Sequence, residues 1–219
     1  MRKRTAVLVD AEWFRKMLKL AFSSPAFASA PAVTAESFYR NACTALDAEE
    51  ELVRFLRYDC EPFGDHQRNP VDQSWVRFGR GHPTYEERMR FFREIGALPF
   101  VALRRGVVVG RKWEIKEAVT DRLLAAPHAT VTLAADDIRF GLEQKGVDMR
   151  IGMDFATLSL KQLVDRIILI SGDTDMVPAM KLARREGIQV CLVQVGSRGR
   201  LAPSLIEHAD LVRTITPQP

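Results

Sequence analysis

The amino-acid sequence predicts an α/β protein whose central, mainly parallel sheet is flanked by helices. Two runs, TAVLV and RIILIS, are almost continuously apolar, as strands buried on both faces are. In the second half of the chain, segments with apolar residues at helical spacing separate such runs. Strands that alternate with helices indicate a parallel sheet covered on both sides.

The first half of the chain begins with a strand at 5–9 that ends at Asp10, and a helix at 12–22 follows. The small, uncharged, proline-containing stretch 23–35 predicts a loop. The later predicted elements of this half are a helix at about 35–48, a strand at 52–63, a helix at 84–96 and a hairpin over 98–116 that turns at Arg104 to Gly106.

The second half shows the alternation more clearly. Its predicted elements are a helix at 149–163, a strand at 165–173, a helix at 175–187, a strand at 188–196, a helix at 201–209 and a strand at 211–215. We predict one domain over residues 1–219, in which the less typical segment 23–116 is an insertion or elaboration.

Composition excludes several classes of protein. The 32 Lys and Arg residues slightly outnumber the 28 Asp and Glu residues, which is compatible with a polyanionic partner. The three cysteines form no CxxC pair, which argues against a disulfide framework or a zinc ribbon and favours a reducing compartment. Because the early apolar run is too short for a signal peptide and no run could cross a bilayer, we expect a cytoplasmic protein without a membrane partner.

Acidic residues follow the buried strands at the positions where parallel sheets form their sites. Asp10 ends the first strand, and Asp173 and Asp175 follow the strand RIILIS. Asp148 ends the sequence KGVD, and Asp154 comes six residues later. An Asp at a helix start also caps the helix, and for Asp175 alone that explanation is favoured.

Converging carboxylates repel one another, and a divalent cation is the usual remedy. Carboxylate ligands without His or Cys suit Mg²⁺ or Mn²⁺ better than zinc. Hydrolysis of a phosphodiester bond is the chemistry that matches such a site, since metal ions activate water and stabilise the leaving oxygen.

Three segments carry a family resemblance: VLVDAEW, KGVDMRIGMDFATL and DRIILISGDTDMVPAMKLARREGIQV resemble the NYN domain, also called LabA-like. The resemblance is strongest over residues 141–196. It implies a PIN-like, Rossmann-like three-layer fold, a nuclease site that depends on Mg²⁺ or Mn²⁺, and RNA as the usual substrate. By motif position, Asp10, Asp148 and Asp173 match the catalytic, metal-binding aspartates, and Asp154 and Asp175 match further acidic positions.

One position departs from the family pattern. Members usually carry Asn three residues after the first Asp, and this sequence has Trp13 there with Glu12 before it. Three interpretations are open: Glu12 supplies a polar group in place of Asn, the site is altered, or Trp13 is an aromatic residue of the core or rim.

Substrate-binding candidates surround the acidic residues. Lys145 lies three residues before Asp148, where it would contact a scissile phosphate or pair with an acidic neighbour, and Ser171 and Thr174 flank Asp173 in a tight turn. The middle segment is rich in basic residues interleaved with aromatics, among them Arg104 and Arg105. Such a run binds nucleic acid or forms a solvated helix face.

Three functions stay open at this stage. The leading hypothesis is an endoribonuclease that uses the Asp cluster. The second is a non-catalytic RNA-binding or adaptor module, which Trp13 favours. The third is a haloacid-dehalogenase-like phosphatase, which is weakest because Glu12 stands where that family has its second Asp. The oligomeric state is not readable, and a homo-oligomer stays open.

Overall fold

The computed structural model describes residues 2–23, 32–125, 130–197 and 199–219. The chain divides into two compact units: a larger unit, Met1–Asp59, Phe91–Gly106 and Gly146–Pro219, and a smaller unit, Cys60–Arg90 and Val107–Lys145. The single domain with an elaboration at 23–116 stays a prediction. Of the predicted loop 23–35, residues 24–31 lie outside the described part of the chain.

The described residues contain nine strands and seven α-helices. The strands are β1 (Lys3–Asp10), β2 (Glu50–Cys60), β3 (His66–Arg68), β4 (Trp75–Arg77), β5 (Val101–Ile115), β6 (Ile138–Lys145), β7 (Arg166–Ile170), β8 (Gln189–Val195) and β9 (Leu211–Ile215). The helices are α1 (Ala11–Phe22), α2 (Ala35–Cys43), α3 (Pro83–Gly96), α4 (Glu117–Ala125), α5 (Val147–Leu160), α6 (Val177–Arg185) and α7 (Pro203–Glu207).

The larger unit is built on a mainly parallel sheet, which confirms the predicted fold class. Its strands lie in the order β2-β1-β7-β8-β9, and each neighbouring pair is parallel. The first part of β5 lies beside β2, at the other side from β1. The central position of β1 and β7 explains why the runs AVLV and IILI within them are apolar and fully buried.

Helices cover both faces of this sheet. On one face, Val9 and Ile170 pack in one cluster with Phe14 of α1 and Phe38 of α2. The alternate residues of the same strands point to the opposite face, and Leu8 among them is equally buried. On the second face α5 and α6 pack together, and α6 also contacts β8.

The register of the strands brings their polar ends to one edge. In the β1–β7 pair, Val9 lies opposite Ile170, so Asp10 and Ser171 are the next residues on both strands. In the β1–β2 pair, Asp10 lies opposite Tyr58. The carboxyl ends of these three strands therefore form one edge, hereafter the carboxyl edge.

The smaller unit has its own strands and an aromatic core. Val107 to Ile115 of β5 pairs antiparallel with β6, and β3 and β4 form a separate antiparallel pair. The rings of Phe63 and Phe78 lie within 6 Å of Phe140, as does Trp113. Phe78 and Trp113, two of the aromatics that are interleaved with basic residues in the middle segment, thus pack inside this cluster.

The predicted hairpin over 98–116 is wrong, because Val101–Ile115 is one continuous strand. No turn forms at Arg104 to Gly106. The backbone partner of the Val107–Ile115 half is β6, far along the chain, and this pairing keeps the β-branched run VVV extended.

The other predicted helices and strands lie at the expected places, with shorter ends in α2 and α7. Cys43, Cys60 and Cys191 are free thiols. Within the described residues, no helix is both long and apolar enough to cross a membrane.

Candidate active site

Asp10 is at the centre of the carboxyl edge. It ends β1 and caps α1, where its Oδ1 accepts a hydrogen bond of 3.1 Å from the backbone N–H of Trp13. Its Oδ2 accepts a longer one of 3.4 Å from the Ser171 hydroxyl. The sequence favours this arrangement because Asp both ends a strand readily and caps the following helix.

The turn after β7 holds two more carboxylates. The Asp173 backbone N–H donates to Ser171 Oγ at 3.1 Å, and Asp173 Oδ1 accepts from the Asp175 N–H at 2.9 Å. Asp175 lies in the short 3₁₀ turn that precedes α6 and is exposed. The Ser171 hydroxyl is therefore used inside the site, between Asp10 and Asp173, while Thr174 is exposed at the start of the 3₁₀ turn.

Asp148 and Asp154 both lie on α5 but diverge. Gly146 caps this helix at a φ of 78°, a left-handed conformation that glycine adopts without strain, and places Asp148 in the first turn. Six residues along a helix rotate a side chain to about 120° from its starting direction. The two aspartates therefore face different neighbours.

Asp154 forms an ion pair with an arginine and accepts a hydrogen bond from a tyrosine. Arg104 donates to it from Nε to Oδ2 at 2.7 Å and from Nη2 to Oδ1 at 3.4 Å. The Tyr58 hydroxyl donates to the same Oδ2 at 2.8 Å. Tyr58 is fully buried opposite Asp10 in the sheet, so it fixes Asp154, and Asp154 fixes Arg104, beside the carboxyl edge. Sequence reasoning missed Tyr58, because the pairing that places it opposite Asp10 is a property of the folded sheet.

The remaining carboxylates repel one another. Burial raises the pKa of Asp10 to about 6, and the charges of Asp148 and Glu12 add to the effect. Burial also raises the pKa of Asp148, together with the charges of Asp173 and Asp175. Of these residues, only Glu12 forms an ion pair within the described chain, with Lys16 at 2.8 Å. The carboxyl edge thus carries uncompensated negative charge.

The carboxylate oxygens of the carboxyl edge are the kind of ligand that a hard divalent cation prefers. Among the described residues, no three His, Cys, Asp or Glu side chains lie close enough together to hold one ion. Mg²⁺ commonly takes only one or two protein carboxylates and completes its shell with water and substrate phosphate oxygens. One or two of the carboxylates of Asp10, Asp148, Asp173 and Asp175 would satisfy that requirement, and helix amino ends beside three of these residues favour negative charge there.

Trp13 packs against the turn that carries Asp173. Its indole belongs to the partly buried residues around the core, and a Cβ on Gly172 would lie 2.3 Å from Trp13 Nε1. The absence of a side chain at Gly172 therefore allows the indole to approach the turn closely. This contact favours the core or rim interpretation of Trp13.

Arg105 and Lys145 are also predicted to contact the substrate, and each has other neighbours in the structure. The guanidinium of Arg105 lies 5.8 Å from the centroid of the Phe92 ring, and the Arg105 side chain is exposed. Lys145, in the smaller unit, forms an ion pair with Glu143, which also pairs with Arg111. The prediction that Lys145 contacts a phosphate stays untested.

The family model of the NYN domain matches residues 77–216, more than half of the chain. The chain belongs to the NYN domain family. NYN domains are PIN-like nuclease domains, so membership indicates a nuclease-like, ribonuclease type of function. The matched residues include Asp148, Asp154, Asp173 and Asp175, whereas Asp10 lies before them.

Two further comparisons found similar proteins. The uncharacterised protein y4oD of Sinorhizobium fredii is 32% identical over 83 residues, which cover 34% of this chain and 39% of that protein. A crystal structure of a Vibrio parahaemolyticus protein of unknown function, VPA0982, aligns with a TM-score of 0.52 at 18% identity. That alignment covers 98% of this NYN protein and 94% of the other chain.

Proposed function

We propose that this protein is a metal-dependent endoribonuclease whose site is the carboxyl edge. The observation that carries the proposal is the placement of Asp10, which lies partly buried at the carboxyl edge without an ion pair to a basic side chain of the described chain. Burial, with smaller effects from the charges of Asp148 and Glu12, raises the pKa of Asp10 to about 6. Carboxylates without a basic partner do not stabilise the fold, whereas a site that binds a cation needs carboxylates that are not already paired. Membership of the NYN domain family directs the chemistry to RNA.

Asp10, Asp148 and Asp173 would be the ligands of Mg²⁺ or Mn²⁺, with one or two of these carboxylates on each ion, water and substrate oxygens completing its shell, and Asp175 beside them. When bound, the ion activates water and offsets charge on the phosphodiester. The chain itself orients these ligands: the Trp13 N–H and Ser171 hydroxyl fix Asp10.

Arg104 is the best placed cation for the substrate. Asp154 engages its Nε and one Nη2 hydrogen, so the outer guanidinium N–H groups stay available to a phosphate oxygen, and 40% of the side chain is exposed. In this arrangement Asp154 orients Arg104. Its predicted role as a metal ligand would require that Arg104 and Tyr58 release it.

Asp173→Asn tests the proposal. The change keeps the cap on the 3₁₀ turn, because Asn also accepts the Asp175 N–H, but it removes one charge from the site. We expect cleavage of labelled single-stranded RNA in Mn²⁺ or Mg²⁺ to be lost, with unchanged thermal unfolding. Asp121→Asn, an exposed position in α4, is the matched control and should cleave normally. Equal cleavage by the wild type and Asp173→Asn would refute the site.

A non-catalytic RNA-binding module is the alternative, and the pairing of Asp154 with Arg104 favours it because one acidic position is already neutralised. RNA binding that is the same in Mn²⁺ and in EDTA, without cleavage of any RNA, would support that alternative.

A further inference from the structure

A second charged feature of the larger unit lies at the opposite ends of the strands. An open groove of about 750 Å³ is bounded by the end of α6 and the start of β8. Its lining residues are Pro178, Lys181, Arg184, Arg185, Gly187, Ile188, Gln189 and Asp210. We call it the α6 groove. Because Gln189 and Arg166 pair at the starts of β8 and β7, the groove lies at the far end of the strands from the carboxyl edge.

The α6 groove has a net positive charge. Arg184 pairs with Asp210 at 2.8 Å, and the other Asp210 oxygen accepts the Val190 N–H at 2.8 Å, so these two charges are compensated. Lys181 and Arg185 are exposed and form no ion pair with a carboxylate of the described chain. Two cations therefore stay available to a ligand.

A polar donor is also fixed in this groove. Gln189 Oε1 accepts from Lys3 Nζ at 3.0 Å and from Arg166 Nη2 at 2.7 Å. Since Lys and Arg only donate hydrogen bonds, the amide oxygen must face them, and the amide NH₂ group is left for other acceptors. An anion with several oxygen atoms matches two cations and an N–H donor.

The face of α6 connects this groove to the carboxyl edge. The helix begins directly after the turn that holds Asp173 and Asp175. Pro178, Lys181 and Arg185 follow at spacings of three and four, so they share one face. From Pro178 to Arg185 the helix rises by about 10 Å.

We infer that the α6 groove binds the phosphate backbone of the single-stranded RNA that extends away from the cleavage site. The inference rests on the proposed function for its substrate class. Charge complementarity selects the occupant: an RNA strand that leaves the negatively charged edge along α6 meets Lys181 first and Arg185 next. Sequence preference is not expected from this groove, because backbone contacts carry no base readout.

Fluorescence anisotropy with a labelled single-stranded RNA in EDTA tests the inference, since binding is then measured whether or not the protein cleaves. The variant is Lys181→Ala/Arg185→Ala. Its matched control is Lys19→Ala/Lys161→Ala, which removes the same charge from exposed positions at the ends of α1 and α5. Loss of two contacts to a single strand should lower the slope of log K against log salt by about 1.4.

The ratio of variant to wild-type Kd should accordingly shrink about sevenfold between about 50 and 200 mM salt. The control should keep the wild-type slope, and Lys181→Arg/Arg185→Lys should restore it. An unchanged slope in the alanine variant would overturn the inference. An equal loss of slope with duplex DNA would overturn the assignment to a single strand. The cleavage assay with Asp173→Asn, by contrast, tests only the carboxyl edge. Its outcome does not change the RNA binding that is measured in EDTA.

Discussion

Asp10→Asn should stabilise the protein while it abolishes cleavage. The folded state raises the Asp10 pKa from 3.8 to about 6, and each tenfold change in proton affinity is worth about 1.4 kcal/mol. At neutral pH the ionised carboxylate therefore costs the folded state about 3 kcal/mol. Asn keeps the cap to Trp13 and carries no charge, so it removes this cost.

The raised pKa of Asp10 determines how the difference in stability between the wild type and Asp10→Asn depends on pH. Above pH 6, Asp10 is ionised in both the folded and the unfolded chain, and the full cost is present. As the pH falls from about 6 to about 4, the folded state takes up the proton first, and the wild type regains stability relative to the variant. Below pH 4 the two proteins should unfold with the same free energy, apart from the amide substitution itself.

Urea unfolding at several pH values measures this directly. At pH 7.5 in EDTA we expect a higher midpoint for Asp10→Asn, equivalent to about 6 to 12 °C in Tm for a chain of this size. Added Mn²⁺ should stabilise the wild type and not the variant, because binding to the folded state alone adds stability. A variant that is less stable at pH 7.5, or a gain that persists unchanged below pH 4, would refute the reasoning.

Two smaller predictions concern the neighbours of the site. Gly172→Ala should cost about 1 to 3 kcal/mol of stability, as overpacking does, and much less in a Trp13→Ala background; equal costs in both backgrounds, by urea unfolding, would rule out the contact. Tyr58→Phe leaves Asp154 without one donor and loosens Arg104, so we expect weaker RNA binding, seen as a raised KM, with little change in Mn²⁺ affinity by calorimetry. A large loss of Mn²⁺ affinity would instead make Asp154 a metal ligand.

The sequence predicted the carboxyl edge because local signals sufficed for it. Two strands of nearly continuous apolar residues end in Asp10 and in the turn before Asp173, and parallel strands place such ends on one side. The partners of Asp154 could not be predicted in this way. Arg104 and Tyr58 lie 50 and 96 residues away along the chain, so only the tertiary fold brings them together.

The failed hairpin has a similar cause. Around Gly106 the local pattern of β-branched residues and a glycine fits both a turn and a straight strand. The choice depended on β6, a partner outside the window that a local pattern covers. Trp13 is the same kind of case: its spacing from Asp10 marked it as unusual, whereas its role depends on contact with Gly172, which only the fold supplies.

The protein compensates buried acids elsewhere, and this contrast strengthens the proposal for the carboxyl edge. Asp59 has no exposed side-chain surface and pairs with Arg57, while Glu50 is equally buried and pairs with Arg166 and Arg213. With a net charge of +4, the chain does not lack cations. Asp10, Asp148, Asp173 and Asp175 nevertheless form no ion pair with a basic side chain of the described residues. Since a basic side chain there would relieve the repulsion, its absence from the described residues is what the proposed cation site requires.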